Sequence, residues 1–240
     1  MSIFLIYAAG DSIRIKKKFN IEHKGLLEIN RKPLISHQLE WIGNYNPKKI
    51  ILVVNARHKK FIQKISLYKK KLPIKFIYNN DVKSKNMKSF YLAKNEIQNN
   101  NVIFTTSDLY CEKNIIDVFM NDNSQNKILI DSKINKYKGD EVLISIKNNY
   151  INRCSKKLNK YNGIAIGIYS FESKIINKMI NYCEKNHLNG YFDKSLYYAI
   201  DNVINCKFKT KPIIVSNELW FDIDTFDEYI NAKNLLNEAK

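Results

Sequence analysis

Short, continuous apolar runs recur through the first half of the chain, each followed by an amphipathic stretch. Ile3 to Ala8, Lys49 to Val54, Ile74 to Tyr78 and Val102 to Thr106 have the length and β-branched character of buried strands. Between them, Leu34 to Asn44, Lys59 to Lys70 and Asn86 to Gln98 space their apolar side chains as a helix with one buried face does. In the first of these, Leu34, Ile35, Gln38, Leu39, Trp41 and Ile42 form that face. Pro33 suits the first turn, where its missing N–H costs nothing. Strand and helix in alternation predict βαβ units and a parallel sheet.

From Lys127 to Tyr169 the texture changes to strands alone: Ile128 to Ile130, Glu141 to Ile146, Tyr150 to Arg153 and Gly163 to Tyr169, with Lys147-Asn148-Asn149 as a turn. This predicts an antiparallel addition to the parallel sheet. Helices follow over Glu172 to Glu184, Phe192 to Asn205 and Phe226 to Glu238. No linker rich in Pro, Gly or Ser interrupts the pattern and no segment repeats, so 240 residues predict one domain over residues 1–240. The expected fold class is α/β: a Rossmann-like mixed, mostly parallel sheet flanked by helices, with a small antiparallel excursion.

Composition changes this picture in one respect, which is charge. Forty Lys and Arg against 23 Asp and Glu leave a formal charge of +17, which attracts anions. The basic runs at Arg14 to Lys18, Lys69 to Lys71 and Lys83 to Lys88 carry no nucleic-acid-binding motif. Nucleic acid is therefore the weaker reading and an anionic nucleotide the simpler one, with lysine-rich solvated faces accounting for the rest. Cys111, Cys154, Cys183 and Cys206 are dispersed, without C-x-x-C or zinc spacing, and read as free thiols in a reducing cytosol. No apolar stretch has the length of a membrane span, and the N-terminal run lacks a basic leader, so a cytoplasmic protein without membrane insertion is expected. The sequence carries no signal for an oligomeric state.

Candidate chemistry concentrates where the first strand breaks. Ala8, Ala9 and Gly10 have no side chain large enough to block a ligand's approach to the backbone, and Arg14 and Lys24 follow with positive charge. A strand that empties into such a loop is suited to phosphate. Asp108 follows the run Val102 to Ser107 and should stand at the carboxyl end of a parallel strand, where ligands bind in open α/β sheets; capping the following turn is its structural alternative. Near the C-terminus, Asp222 and Asp224 alternate across Ile223 and should project to one side. There they could share a cation, while Asp224 or Thr225 caps the last helix and Asp227 and Glu228 favour its N-terminal dipole. The four histidines form no metal-binding motif, and no nucleophile elbow or Walker loop is present.

The run Tyr7-Ala8-Ala9-Gly10-Asp11-Ser12-Ile13-Arg14-Ile15, followed by Lys24-Gly25-Leu26-Leu27-Glu28-Ile29-Asn30-Arg31-Lys32-Pro33-Leu34-Ile35, resembles the signature of nucleotidyltransferases that join an NTP to a phosphorylated small molecule. Ser12 stands where that family usually has a second glycine, and the stretch between the two halves is rich in lysine instead of carrying Pro and Thr. Trp220-Phe221-Asp222-Ile223-Asp224-Thr225 resembles the family's C-terminal motif, and Tyr78-Asn79-Asn80 through Asn86 and Ser89 resembles a segment near its nucleotide.

The resemblance implies Mg²⁺ as cofactor, held by Asp108, Asp222 and Asp224, with Arg14 and Lys24 as catalytic cations. Ala8, Ala9, Gly10, Asn79, Asn86 and Ser89 would bind the nucleotide; a plain helix cap is the competing reading of Asn86. Asn189-Gly190-Tyr191-Phe192-Asp193 resembles an acceptor-facing segment, so Tyr191 and Asp193 would bind a cationic acceptor; a first-turn helix acid is the structural alternative for Asp193. The Asp222-Ile223-Asp224 form and the Lys138 to Val142 hairpin look most like cytidylyltransferases of the phosphocholine type. This implies CTP as donor, a phosphorylated small molecule such as phosphocholine or a phosphoamine as acceptor, and a role in cell-surface polysaccharide decoration. The alternatives are a hexose-1-phosphate uridylyl- or thymidylyltransferase, and a non-catalytic nucleotide- or nucleic-acid-binding protein.

Overall fold

The computed structural model of the chain describes residues 2–16, 18–133, 139–187 and 194–238. Strand β1 (Ile3–Ala8) leads through α1 (Ile13–Lys16), a 3-10 turn (Lys24–Leu26) and a small hairpin of β2 (Glu28–Ile29) and β3 (Lys32–Pro33) into α2 (Leu34–Gly43). The alternating half continues with β4 (Lys49–Val54), α3 (Lys59–Ser66), β5 (Ile74–Tyr78), α4 (Asn86–Leu92), α5 (Lys94–Ile97) and β6 (Val102–Thr106). After it come β7 (Leu109–Cys111), α6 (Lys113–Asn121), β8 (Lys127–Asp131), β9 (Leu143–Lys147), β10 (Tyr150–Ser155) and β11 (Gly163–Phe171). Helices α7 (Ser173–His187) and α8 (Tyr197–Asn205), strands β12 (Lys211–Val215) and β13 (Trp220–Asp222), and α9 (Phe226–Glu238) complete the described chain.

The main sheet runs β10-β9-β11-β6-β1-β4-β5, with β8 joined to β11 and β12 to β8. Its β6-β1-β4-β5 half is parallel, and β11 joins it antiparallel to β6. The mixed, mostly parallel α/β fold with an antiparallel addition is the expected one. β11 organises the antiparallel part: nine residues long, it pairs in turn with β6, β8 and β9. Its register shifts between Ala165 and Tyr169, where Gly167 takes a φ of +106° that a side chain would resist.

β1 shows why the first apolar run has no polar break. Ile3, Leu5 and Tyr7 enter one core, with Phe90, Phe104, Phe171 and Met179; Phe4, Ile6 and Ala8 enter the other, with Leu39, Leu52, Phe61 and Phe119. A strand covered on both sides needs apolar residues at every position. A third, smaller core matters most for function. Ile15, Leu27, Ile29 and Leu34 pack against Ile223, Tyr229, Ala232 and Leu236, and the Phe19 ring lies 5.2 Å from Phe226 and 5.3 Å from Tyr229. Each such fully buried aliphatic side chain contributes about 1.5–3 kcal/mol, enough to hold the C-terminal helix on the N-terminal loop.

Several boundaries differ from the periodic reading. The Asn86 to Gln98 run divides at Ala93 into α4 and α5, and α3 ends at Ser66. Pro33 is not in the first helical turn: with ψ of 143° it closes β3 and precedes α2 as its cap residue. Among the described residues the helix expected from Phe192 begins at Tyr197. Helix α6 and strands β7, β12 and β13 had no counterpart in that reading. Among the described residues no helix is long and apolar enough to cross a membrane, and all four cysteines are free thiols.

Candidate active site

The loop after β1 is held by its own polar groups. Ser12, at the position of the missing glycine, adopts a φ of 55°, the left-handed conformation that glycine takes most easily. Its carbonyl accepts the N–H groups of Ile15 and Lys16 and so starts α1, while its Oγ accepts the Lys24 N–H at 3.0 Å. The loop thus closes on itself across the lysine-rich stretch. Ala8 points into the second core and can offer a ligand only its backbone. A Cβ added at Gly10 would meet no protein atom within 4 Å, so the space over that residue is open. Asp11 is paired with Arg57, from the loop before α3.

The two cations and three carboxylates meet from four directions. The 3-10 turn carries Lys24, α1 carries Arg14, the end of β6 carries Asp108, and β13 with the turn after it carries Asp222 and Asp224. The short β7–β13 pairing sets Asp222 opposite Leu109, and the Ile223 N–H donates to the Asp108 carbonyl at 3.2 Å. Ile223 is fully buried in the third core, so its two neighbours turn the other way, into one cleft. There the Lys24 ammonium is clasped by both Asp108 and Asp224, and Arg14 holds the other Asp224 oxygen at 2.6 Å. Thr225 caps α9 through the Glu228 N–H, while the Glu228 carboxylate accepts the N–H groups of Asp224 and Thr225, both at 2.9 Å. This reciprocal cap fixes the backbone of Asp224 and leaves its side chain to the cations.

Electrostatics separate the two C-terminal carboxylates. Burial pushes the Asp224 carboxyl up, but Lys24 and Arg14 together outweigh it and hold the group below the usual range. Asp222 is pushed up to about 6, first by the protein crowding it and then by Asp224 and Glu228, against the pull of Lys24. Its side chain nevertheless opens onto the cleft and water reaches it, which moderates the shift. Among the described residues no group of three or more His, Cys, Asp or Glu is gathered closely enough to hold a metal ion. Of the expected ligands Asp222 and Asp224 line the cleft, while Asp108 is buried beside it with Lys24 between it and Asp224.

The cleft opens into a cavity of about 540 Å³ whose walls include Tyr7, Phe104, Tyr169, Tyr197 and Trp220. Tyr169 stacks on Phe104 at 5.3 Å, and the Trp220 indole donates to Asp131 at 2.7 Å. Asn79 is buried and turned inward: its amide donates to Ser84 and Ser89, both at 3.1 Å, and accepts the Asp81 N–H. Asn79 and Ser89 therefore brace the loop between β5 and α4. Asn86 lines the cavity but caps nothing; its carbonyl oxygen accepts the Leu196 N–H at 2.7 Å and ties α4 to the segment before α8. Tyr191 and Asp193 lie outside the described residues. The motif reading did not single out Tyr7, Tyr169 and His23. For Tyr7 a signal was present, because strand alternation sets it on the face of Ile3 and Leu5; the place of His23 depends on contacts far apart in sequence.

Comparison with known proteins agrees with this geometry. The MobA-like NTP transferase domain model matches residues 4–233. A choline-phosphate cytidylyltransferase of Streptococcus pneumoniae is 25% identical over 247 residues, covering 97% of each chain. The inositol-1-phosphate CTP transferase of T. maritima superposes with a TM-score of 0.79 at 16% identity, over 99% of this chain and 97% of that one. A UDP-glucose pyrophosphorylase, solved with UDP-glucose, gives 0.78 at 14% identity over the whole of both chains. These structures share the fold. With its strand-end loop, its clasped lysine and a family match spanning nearly every residue, the chain belongs to the MobA-like NTP transferase domain family and is a nucleotidyltransferase.

Proposed function

We propose that this nucleotidyltransferase moves CMP from CTP to a phosphorylated small molecule, phosphocholine or a related phosphoamine, giving a CDP-linked product and pyrophosphate. The observation that carries the reading is the meeting of Arg14 and Lys24 with Asp108, Asp222 and Asp224 beside an aromatic-walled cavity. The full-length similarity to a choline-phosphate cytidylyltransferase supports CTP as donor. The rings of Tyr7, Phe104, Tyr169, Tyr197 and Trp220 support a cationic acceptor, because aromatic faces attract ammonium groups.

A phosphate monoester has a second pKa of about 6, so the attacking oxygen is already ionised at neutral pH and needs no general base. It forms a bond to the α-phosphorus of CTP as the bond from that phosphorus to the bridging oxygen breaks, and pyrophosphate leaves with the electron pair. Positioning and charge neutralisation are the work left to the protein. Lys24, fixed between Asp108 and Asp224, is a point charge for the α-phosphate. The planar fork of Arg14 suits the oxygens of the departing pyrophosphate.

Asp108 Oδ1 is buried without a hydrogen-bond partner and the Asp222 carboxylate faces the open cleft, so hard oxygen donors suited to Mg²⁺ are present. Asp108 and Asp222 would hold the ion as a pair, Asp224 being engaged by Lys24 and Arg14, and when bound the ion would offset charge on the phosphate oxygens.

The test is pyrophosphate release with each of the four common NTPs against phosphorylated amines, polyols and hexoses. CTP with a phosphoamine should turn over fastest. Faster turnover of UTP or dTTP with a hexose 1-phosphate would replace this reading with that of a sugar-phosphate nucleotidyltransferase.

A further inference from the structure

His23 lies directly before Lys24 and is 1% exposed. Its backbone is extended, and its Nδ1 accepts the Gly25 N–H at 3.0 Å, so the imidazole caps the 3-10 turn that Lys24 begins. One face stacks on Phe61 with the ring centroids 3.8 Å apart, and the ring meets His58 at 5.0 Å in an edge-on contact. The ring also faces the Ala8 backbone at the end of β1. An Nδ1 that accepts a hydrogen bond belongs to a neutral imidazole carrying its proton on Nε2. The Lys24 backbone is therefore held on both sides: its N–H by Ser12, its carbonyl by Leu27 at 3.0 Å, and the next N–H by His23.

We infer that His23 is a positioning residue for Lys24, whose imidazole fixes the turn so that the ammonium projects between Asp108 and Asp224. The inference rests on the catalytic reading of Lys24 given above. A residue buried for packing alone has no reason to spend its ring nitrogen on the turn that aims the lysine. Asparagine at this place keeps a side-chain oxygen within reach of the Gly25 N–H; alanine removes the cap.

The experiment is a kinetic cycle with CTP and the best acceptor, using His23→Ala, His23→Asn and Lys24→Ala with the double variants His23→Ala/Lys24→Ala and His23→Asn/Lys24→Ala, each first shown to melt cooperatively. His23→Ala should lower kcat roughly tenfold or more while the KM for CTP changes less than about threefold, and His23→Asn should restore most of the loss. In the Lys24→Ala background the His23→Ala change should cost less than about twofold, because groups acting through one another are not additive. An equal loss of kcat in both backgrounds would overturn the inference and leave His23 a packing residue. Should His23→Ala fail to fold, a His23→Asn enzyme with kcat reduced equally in both backgrounds would overturn it in the same way. If Lys24→Ala alone leaves kcat unchanged, the catalytic reading of Lys24 falls and the inference with it, an outcome separate from additivity at His23.

Discussion

Ser12 Oγ accepts the backbone N–H of Lys24 across twelve residues of chain, at 3.0 Å, from a residue whose own φ is 55°. A serine replaces glycine here at a conformational cost and returns a hydrogen bond that glycine cannot make. Two variants separate the effects. Ser12→Ala keeps the left-handed strain and loses the bond, so it should lose about 1 kcal/mol of stability and raise the KM for CTP. Ser12→Gly loses the same bond but relieves strain of about 1–2 kcal/mol, and should melt near the parent. Urea titrations decide it: an alanine variant as stable as the glycine one would show that the strain is negligible, and an alanine variant as stable as the parent would show that the bond is.

The carboxylate assignments predict losses of chemistry without loss of fold. Asp108→Asn and Asp222→Asn remove charge at nearly constant volume, and each should lower kcat on the order of 10²-fold or more. Lys24 retains Asp224 when Asp108 is neutralised, so that variant should lose less than the roughly 3–5 kcal/mol of a fully broken buried pair. Chelation with EDTA should stop pyrophosphate release and added Mg²⁺ restore it. Mn²⁺ binding in the presence of CTP, followed by electron paramagnetic resonance, should weaken in Asp222→Asn. Near-normal turnover by Asp108→Asn would return that residue to a turn-capping role.

His58 predicts the acid limb of stability. Its ring is shut from solvent beneath the β1 loop and neither nitrogen has a hydrogen-bond partner. Burial first, and then the charges of Lys16 and Arg57, push its pKa from 6.5 down to about 4, against the Asp11 carboxylate 4.0 Å away. Below pH 6.5 the unfolded chain takes up a proton that the folded chain refuses. Stability is therefore complete above that pH and falls on acidification toward pH 4, by about 1.4 kcal/mol per unit. His23, buried and also lowered, acts in the same direction. Thermal melts between pH 7.5 and 4.5 should show a shallower decline in His58→Phe; a decline identical to the parent's would mean that other groups carry it.

The parts legible in the sequence are those governed by local periodicity. β1 is readable because burial on both faces demands an unbroken apolar run, and Asp222 and Asp224 are readable as a pair because Ile223 between them is apolar and turned inward. β7 and β13 are three residues each and too short for any period, yet their pairing brings Asp222 beside the end of β6. Asn79 illustrates the opposite case: its type and position suggest a ligand, but its amide is spent on the turn that follows, donating to Ser84 and accepting the Asp81 N–H. The clasp on Lys24 is likewise beyond periodicity, since it exists only because a third core seats α9 on the N-terminal loop.

Gly25 offers the most local test of that clasp. A Cβ at this position would lie 2.7 Å from Phe61 Cε2, 3.1 Å from His23 Nδ1 and 3.1 Å from the Ser107 carbonyl. Phe61 is fully buried in the second core and cannot retreat, and Ser107 is backbone beside Asp108. Gly25→Ala should therefore cost about 1–3 kcal/mol by overpacking, and should lower kcat by displacing Lys24 from its carboxylates. Phe61→Leu removes the ring edge that the new methyl group meets. In a double-mutant cycle the pair should be more stable than the sum of the single losses by about 0.5–3 kcal/mol, as residues in contact are. Additive losses would place the obstruction at the Ser107 carbonyl instead, and a Gly25→Ala protein with unchanged melting and turnover would mean that the turn has room the close contacts deny.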